Sequence, residues 1–216
     1  MSTHLLPAVV FDFGGVLISP IGDKVAALAA RHDTTMEQLL RVLLGPSESG
    51  NHPWHRCERG ELAVADIQQH LGPWAAAAGV VLDGDEIATL LAPTYQVLHQ
   101  VLDRVDELRA AGYATALLTN TFAEFHEQMD RDIDFSRFDV VIESFAVRSR
   151  KPEPAIYDAV ADALGVEHSD IVYLDDFEHN LRPAVALGWT VVHVTSPELT
   201  LAELDRLAPT TTRSSG

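Results

Sequence analysis

The chain has 216 residues, 47% of them hydrophobic, so it can bury the core of one domain, or of a core with a smaller insert. Its formal net charge of -17 argues against nucleic-acid partners and against anionic membrane surfaces, which attract clustered Lys and Arg, while a small anionic substrate remains compatible with it. Cys57 is the only cysteine, and neither a signal peptide nor a membrane span is recognisable, so we expect a cytoplasmic protein.

The first predicted element is the apolar run Val9-Val10-Phe11-Asp12-Phe13-Gly14-Gly15-Val16-Leu17. Its length and Val/Phe content predict a strand buried on both faces, as in parallel sheets. An ionised carboxylate in mid-run would be costly without a partner. We therefore expect Asp12 at the carboxyl end of the strand, facing the crevice where open α/β sheets bind ligands. Gly14 and Gly15 allow a sharp turn and a close approach to a ligand or ion.

The region from about Ser19 to Pro93 is predicted to be helical and to contain no strand. The pair Thr34 and Glu37 has the form of a capping box and predicts the start of the second helix. The pair Gly72-Pro73 predicts the end of the third helix. Apolar residues at helical spacing mark four helices: Ile21, Val25 and Leu28; Met36, Leu39, Leu40 and Leu43; Val64, Ile67 and Leu71; Ile87, Leu90 and Leu91. Such an insert after the first strand, residues 19–93, predicts a helical cap over the crevice.

From Tyr95 onward, predicted helices and strands alternate. The strands are predicted at residues 114–118, 139–143, 170–174 and 190–194. Helices are predicted at residues 97–108 and 122–129, and a third from Pro152 or Pro154 to residue 164. A fourth ends at Leu187, and a fifth begins after Ser196. The alternation predicts an α/β fold with a doubly wound, Rossmann-like, largely parallel sheet. Residues 1–18 and 94–208 would form this core, and residues 209–216 a frayed tail.

Polar residues follow successive predicted strands, where the carboxyl ends of parallel strands line one crevice. They are Asp12, Thr119-Asn120, Lys151 and Asp175-Asp176. Each has a local explanation as a turn or helix-cap residue, but their joint occurrence at strand ends is much less expected by chance.

The residue types in this set favour one chemistry. Three nearby carboxylates repel one another, and a hard divalent cation, with Mg²⁺ the best match, relieves the repulsion through oxygen ligands. Asp12 is then free to act as a nucleophile. Thr119 with nearby backbone N–H groups could hold phosphoryl oxygens, and Lys151 could offset the negative charge.

Four segments carry a resemblance to a known family. They are Phe11-Asp12-Phe13-Gly14-Gly15-Val16-Leu17, Leu117-Leu118-Thr119-Asn120-Thr121, Arg150-Lys151-Pro152-Glu153-Pro154 with Ile156-Tyr157, and Tyr173-Leu174-Asp175-Asp176 with Asn180-Leu181. The chain resembles the haloacid dehalogenase-like hydrolases of the subclass with a helical cap after the first motif. Within that superfamily it is most similar to the phosphatase domain of soluble epoxide hydrolases and to bacterial sugar-1-phosphate phosphatases. The segment from Trp54 to Leu62 resembles the cap of that branch.

The resemblance implies roles for the reacting residues. Asp12 would be the nucleophile that forms a phospho-aspartyl intermediate. Thr119 and the backbone at Asn120 would bind the phosphoryl group of a small phosphate ester, and Lys151 would stabilise it.

The resemblance also implies a metal site. Asp12, the Gly14 carbonyl and Asp176 would hold Mg²⁺. Asp175 would lie behind them and position Lys151 or a metal-bound water. Asn180 would be a structural hydrogen-bonding residue.

The chain departs from the pattern at Gly14. Phosphatases of this superfamily usually carry a second Asp there, which protonates the leaving group and later activates water. Such acid–base catalysis contributes roughly 10²–10⁴-fold. Either the leaving group departs unassisted, as from an anomeric or acyl phosphate, or the cap supplies a substitute acid, with His52, His55 and Glu58 as candidates. At Arg148, where relatives often have Gly, the side chain could alter the loop or add a cation near the phosphate.

Three functions are compatible with these features. The leading interpretation is a Mg²⁺-dependent phosphatase of a small phosphorylated metabolite, for example a sugar phosphate. A 2-haloacid dehalogenase uses the same Asp attack but needs no metal, and Asp175-Asp176 argue against it. A catalytically weak binding or regulatory protein is the third interpretation, motivated by Gly14. The sequence predicts no oligomeric state.

Overall fold

The structure, a computed structural model, describes residues 7–20, 22–46, 50–92 and 94–210. Within these residues the strands are β1 Ala8–Phe11, β2 Thr115–Thr119, β3 Val140–Glu143, β4 Ile171–Asp175 and β5 Thr190–His193. The α-helices are α1 Gly22–Arg31, α2 Met36–Leu44, α3 Pro53–Glu58, α4 Ile67–Ala77, α5 Gly84–Leu91, α6 His99–Ala110, α7 His126–Ile133, α8 Ser144–Val147, α9 Pro154–Leu164, α10 Glu178–Leu187 and α11 Pro197–Leu207.

The five strands form one parallel sheet in the order β3-β2-β1-β4-β5. Strand β1 lies at the centre, and its residues alternate between two apolar clusters. Val9 and Phe11 pack with α6, α7 and α11 on one face, while Ala8 and Val10 pack with α9 and α10 on the other. This arrangement confirms the predicted doubly wound α/β fold. It also brings the ends of β1, β2 and β4 together where the strand order reverses, the usual position of a ligand site in such sheets.

Helices α1–α5, here called the inserted helices, lie between β1 and α6 and contain no strand among their described residues, as predicted. They pack around two apolar clusters of their own, and one of these includes Phe122 from the segment after β2. The chain leaves and re-enters the core through paired segments. Ser19 N–H donates to Gln96 O, and Leu98 N–H donates to Leu17 O, each at 2.8 Å. The inserted helices are therefore joined to the core by a narrow two-stranded connection.

The predicted end of the third helix at Gly72-Pro73 is wrong, because α4 continues through this pair to Ala77. Pro73 has no N–H to donate within the helix. Leu71 and Ala75 are nevertheless buried on either side of it. Packing of that apolar face outweighs the local preference to stop.

The capping box of α2 lies one residue later than predicted. Thr35 Oγ1 accepts the Gln38 N–H at 3.1 Å, and Gln38 Oε1 accepts the Thr35 N–H at 3.3 Å. Thr34 lies outside the box and donates its hydroxyl to Gln38 instead. Helix α3 is an element that apolar periodicity did not predict, because it is only six residues long.

Some predicted features fall outside the described residues: Ile21 in the first helix, residues 47–49 in the Gly/Pro-rich break after α2, Pro93, and residues 211–216 of the tail. Among the helices of the described ranges, none combines the length and the apolar character needed to cross a membrane.

Candidate active site

Lys151 lies between two carboxylates at the carboxyl edge of the sheet. Asp12 directly follows β1, and its backbone N–H donates to Leu174 O of β4 at 2.9 Å. The Lys151 ammonium lies 2.7 Å from Asp12 Oδ1 and 2.8 Å from Asp175 Oδ2, and it donates to Leu118 O at 3.2 Å. Burial lowers the pKa of Lys151, but the two carboxylates outweigh burial and keep the pKa above its ordinary value. The ammonium is therefore charged.

Asp175 is fully buried, and protein donors occupy both of its oxygens. The Tyr173 hydroxyl and Lys151 donate to Oδ2, and the Phe177 N–H donates to Oδ1 at 2.7 Å. Asn180 Nδ2 lies 3.1 Å from both oxygens and makes the structural hydrogen bonds expected of it. Asp175 is thus held by four groups and in turn holds the Lys151 ammonium.

Asp12, Asp175 and Asp176 place carboxylate oxygens within 4.8 Å of one another. Burial, with a further contribution from Asp175, raises the pKa of Asp176 to about 7. Burial also raises the pKa of Asp12 to about 8; Lys151 opposes this shift, and the two other carboxylates add to it. Asp176 Oδ1 is buried and accepts no hydrogen bond from the part of the chain that the structure describes. Mutual repulsion and an unpartnered buried oxygen are the features that a hard divalent cation would relieve, so these residues fit Mg²⁺.

The two glycines after Asp12 differ in what they permit. A Cβ at Gly15 would lie 2.3 Å from Asp176 Oδ2, and the φ of Gly15 is +70°, which disfavours other residues. Gly15 therefore lets Asp176 approach the backbone of the turn. A Cβ at Gly14 would meet no atom of the described residues within 4 Å. The position where phosphatases of this superfamily usually carry a second Asp therefore has room for a side chain among the described residues.

Thr119 and Asn120 end β2 at the same edge. Thr119 is 3% exposed, and its hydroxyl makes one long hydrogen bond of 3.5 Å to Asn120 O. The Asn120 side chain accepts the Lys151 N–H at 2.8 Å and donates to Lys151 O at 3.0 Å. This clamp on the backbone of Lys151 was missed by the sequence analysis, which considered only the Asn120 main chain. No local pattern could predict it, because the two residues are 31 positions apart.

Arg148 adopts the left-handed conformation, with φ +55°, as the residue that ends α8. Glycine favours this conformation, which explains why a glycine would suit the position. The Arg148 side chain is exposed and does not line the cavity described below, so the geometry does not support its predicted role as a cation near the phosphate.

Helix α3 of the inserted helices contacts the Lys151 loop through ion pairs. Glu58 accepts hydrogen bonds from Arg150 Nε and, at 2.9 Å, from Trp54 Nε1. Arg59 Nη1 lies 3.0 Å from Glu153 Oε1. Glu58 and Arg150 are both nearly buried. These contacts join the inserted helices to the loop that carries Lys151.

A cavity of about 690 Å³ lies between the strand ends and the inserted helices. Asp12, Gly14, Thr119 and Lys151 contribute to its lining, and Asp176 lies within the acidic cluster beside Asp12. Much of the remaining lining is apolar or aromatic: Phe13, Ile18, Leu40, Leu44, Trp54, Leu90, Leu91, Tyr95, Phe122, Phe125, Met129 and Phe177. A volume of this size, typical of small-molecule sites, exceeds the needs of a phosphate group alone.

Of the three candidate acids, His55 and Glu58 line this cavity and His52 does not. His52 is fully buried, accepts the Trp54 N–H on Nδ1, and has its pKa lowered to about 4, mainly by burial. His179, which the sequence analysis did not consider, also lines the cavity. The sequence did offer one signal for His179, namely its position at the start of the predicted helix that follows Asp176.

Residues 6–188 match the family described as haloacid dehalogenase-like hydrolase. The chain belongs to the haloacid dehalogenase-like hydrolases. The resemblance inferred from the four motifs is thus confirmed. Solved structures with this fold include a haloacid dehalogenase family enzyme from Bacteroides thetaiotaomicron in complex with magnesium and inorganic phosphate (18% identical, TM-score 0.63, covering 91% of this chain and 98% of that one). Another is L-2-haloacid dehalogenase from Xanthobacter autotrophicus (22% identical, TM-score 0.61, covering 94% and 85%).

Curated relatives within this hydrolase family differ in length. The sesquiterpene phosphatase of Aspergillus oryzae is 27% identical over 206 residues, covering 93% of this chain and 95% of the relative. The acyl-CoA dehydrogenase family member 10 of Mus musculus is 28% identical over 203 residues, and the chain spans only 19% of its length. For the mouse bifunctional epoxide hydrolase 2, 25% identical over 215 residues, that share is 38%.

Proposed function

We propose that this hydrolase is a Mg²⁺-dependent phosphatase that works through a phospho-aspartyl intermediate on Asp12. The observation that carries the proposal is the arrangement at Asp12. Its Oδ1 accepts the Phe13 N–H at 2.7 Å and contacts Lys151, while Oδ2 accepts no hydrogen bond from the described residues. One oxygen thus orients the carboxylate, and the other is available for attack on phosphorus.

The phosphoryl group would lie over Asp12 Oδ2. Thr119 Oγ1 and the backbone at Asn120 would donate to its oxygens, and the Lys151 ammonium would offset the charge that builds up on it. The Asn120 side chain supports this arrangement, because it fixes the backbone of Lys151. Asp175 would position Lys151 from behind.

Mg²⁺ would be held by Asp12, the Gly14 carbonyl and Asp176. When bound, it would supply positive charge that neutralises the phosphoryl oxygens. The unpartnered Asp176 Oδ1 and the fit of the carboxylate cluster support this site. Magnesium and phosphate occur in the crystal structure of the Bacteroides enzyme with the same fold.

The apolar lining favours a phosphate ester of a hydrophobic alcohol over a sugar phosphate. A sugar would place hydroxyl groups against side chains such as Leu40, Leu90 and Phe122, which offer these groups no hydrogen bond. The name of the Aspergillus relative, a sesquiterpene phosphatase, is consistent with this choice. Residues 19–93, which include the inserted helices, would act as a cap on the core of residues 1–18 and 94–208, and cap and core would share this lining.

The test is phosphate release from a series of n-alkyl phosphates, a sugar 1-phosphate and a sugar 6-phosphate, with and without Mg²⁺. Each methylene buried contributes about 0.8 kcal/mol, so kcat/KM should rise about fourfold per methylene until the cavity is filled. Asp12→Asn is the control for the nucleophile and should abolish release.

Other outcomes separate the alternatives. Faster release from the sugar phosphates would refute the hydrophobic substrate class while leaving the phosphatase. Halide release from 2-haloacids without metal would favour the dehalogenase. Accumulation of phosphoprotein without turnover would favour a binding or regulatory role. The expectation of a cytoplasmic location stays a prediction that rests on cysteine usage.

A further inference from the structure

We propose that His179 is the acid–base residue that protonates the leaving group, the task for which Gly14 has no side chain. The proposal rests on the phosphatase function given above. It assigns a catalytic role to a residue of α10, in the core, whereas the sequence pointed to the cap for a substitute acid.

The position of His179 supports this role. It is the second residue of α10, three residues after Asp176, and it lines the same cavity as Asp12 and Gly14. Its ring is half-buried and contacts the Phe177 ring, with centroids 5.3 Å apart. A proton donor for the leaving oxygen must face the cavity and lie beside the phosphoryl site.

The ring nitrogens of His179 make no hydrogen bond to any described residue. Three other histidines of the core, by contrast, have protein partners. His126 Nδ1 lies 2.7 Å from Glu143, Trp189 Nε1 donates to His168 Nδ1 at 2.7 Å, and His193 Nε2 lies 3.1 Å from Asp176 O. His179 can therefore exchange a proton with substrate or water without breaking a bond within the fold.

The charges around His179 suit a group that gains a proton when an anion arrives. Burial lowers its pKa; Asp175 opposes this shift, while Arg150, Lys151 and Arg182 add to it. In the free enzyme these groups together lower the pKa of His179 below its ordinary value. A bound phosphate ester would add negative charge to the cavity that the ring lines and so favour the protonated form of His179.

The cap candidates are less suited to this task. Glu58 is fixed by two donors, and Arg150 Nε keeps its carboxylate paired. His55 is 1% exposed and packs against His52, with ring centroids 5.4 Å apart. Protonating a leaving group from either residue would require rearranging these buried contacts.

His179 alone can handle both proton transfers of the reaction: it gives one proton to the leaving oxygen and takes one from the attacking water. Asp12 Oδ2 forms a bond to phosphorus as the bond from phosphorus to the ester oxygen breaks. The electron pair stays on that oxygen, which takes the imidazolium proton and leaves as the alcohol. The neutral imidazole then removes a proton from the water that attacks the phosphorus of the phospho-aspartate. Phosphate is released, and both the Asp12 carboxylate and the imidazolium are restored.

The experiment compares His179→Ala and His179→Gln with the unmodified enzyme on n-octyl phosphate and 4-nitrophenyl phosphate. Octanol is a poor leaving group that needs a proton, whereas 4-nitrophenolate departs without one. We expect kcat/KM for the alkyl ester to fall at least about 10²-fold and for the aryl ester less than about threefold. The control is His70→Ala, because His70 is exposed on α4 and lies outside the cavity.

A second readout separates catalysis from positioning. Adding Gly14→Asp to His179→Ala should restore alkyl-ester hydrolysis, because the new carboxyl enters open space beside Asp12. Equal losses on both esters, or no loss on the alkyl ester, would overturn the assignment of His179. Failure of the phosphatase proposal would look different, since the unmodified enzyme would then release phosphate from neither ester.

Discussion

Replacing Gly15 by alanine should remove the metal site, while the same change at Gly14 should not. The added Cβ at Gly15 would lie 2.3 Å from Asp176 Oδ2 and 2.5 Å from its Cγ, closer than any non-bonded contact allows. The carboxylate must therefore move by an ångström or more. At Gly14 the added Cβ meets no described atom within 4 Å, so Gly14→Ala is the matched control.

The expected loss in the free energy of unfolding of Gly15→Ala combines two costs. An alanine at the φ of +70° costs roughly 1–2 kcal/mol, and forcing a group into occupied space costs roughly 1–3 kcal/mol. Gly15→Ala should therefore lower the free energy of unfolding by about 2–5 kcal/mol. At about 2–4 °C per kcal/mol, Tm should fall by about 4–20 °C. Gly14→Ala should change stability by about 1 kcal/mol or less.

The assay is calorimetric titration of Mg²⁺ into each folded variant below its Tm. Displacing a group that only supports a metal ligand costs about 10–100-fold in metal affinity, and displacing Asp176 itself should cost at least as much. Gly14→Ala keeps the backbone carbonyl and should bind Mg²⁺ as the unmodified chain does. If Gly15→Ala binds Mg²⁺ with unchanged affinity, Asp176 is not a ligand and the proposed metal site is wrong.

Three further predictions concern the buried charges. In the absence of metal, the pKa of Asp12 is raised to about 8 and that of Asp176 to about 7, so the folded state binds more protons than the unfolded state. In EDTA, Tm should therefore fall as the pH rises from about 4 to 8. Added Mg²⁺ should remove this decline. A flat Tm profile in EDTA would contradict the raised pKa values. Lys151→Met removes the ammonium that contacts both Asp12 and Asp175, so it should lower the free energy of unfolding in urea by about 3–5 kcal/mol and abolish phosphate release. A loss of activity with unchanged stability would contradict this paired geometry. Glu58→Gln should lower the free energy of unfolding less in an Arg150→Met background than in the unmodified chain, because its ion-pair partner is then already absent. If the two losses are additive in this double-mutant cycle, the pair is not coupled.

The strands could be predicted because each is a short apolar run bounded by turn residues, and parallel pairing then follows from the alternation with helices. The same logic brought Asp12, Lys151 and Asp175 to one edge of the sheet. The structure puts the Lys151 ammonium within 2.8 Å of both carboxylates, although Lys151 follows the end of β3 only after the short helix α8.

What the sequence could not predict depends on contacts between distant segments. The continuation of α4 through Pro73 is decided by packing that a local helix-breaking rule does not contain. The clamp of Asn120 on Lys151 and the pairing of Glu58 with Arg150 join residues 31 and 92 positions apart. Residue types alone did not identify His179. Two structural facts do: it lines the cavity, and its ring nitrogens make no hydrogen bond to any described residue.

The central claim is that Asp12 becomes phosphorylated during turnover. The most direct measurement is rapid acid quenching of the enzyme mixed with Mg²⁺ and n-octyl phosphate, followed by mass spectrometry of the peptide that contains Asp12. We predict a gain of one phosphoryl group on this peptide, removed by hydroxylamine and absent in Asp12→Asn. Phosphate release by Asp12→Asn at the rate of the unmodified enzyme, with no phosphorylated peptide at any quench time, would contradict the account.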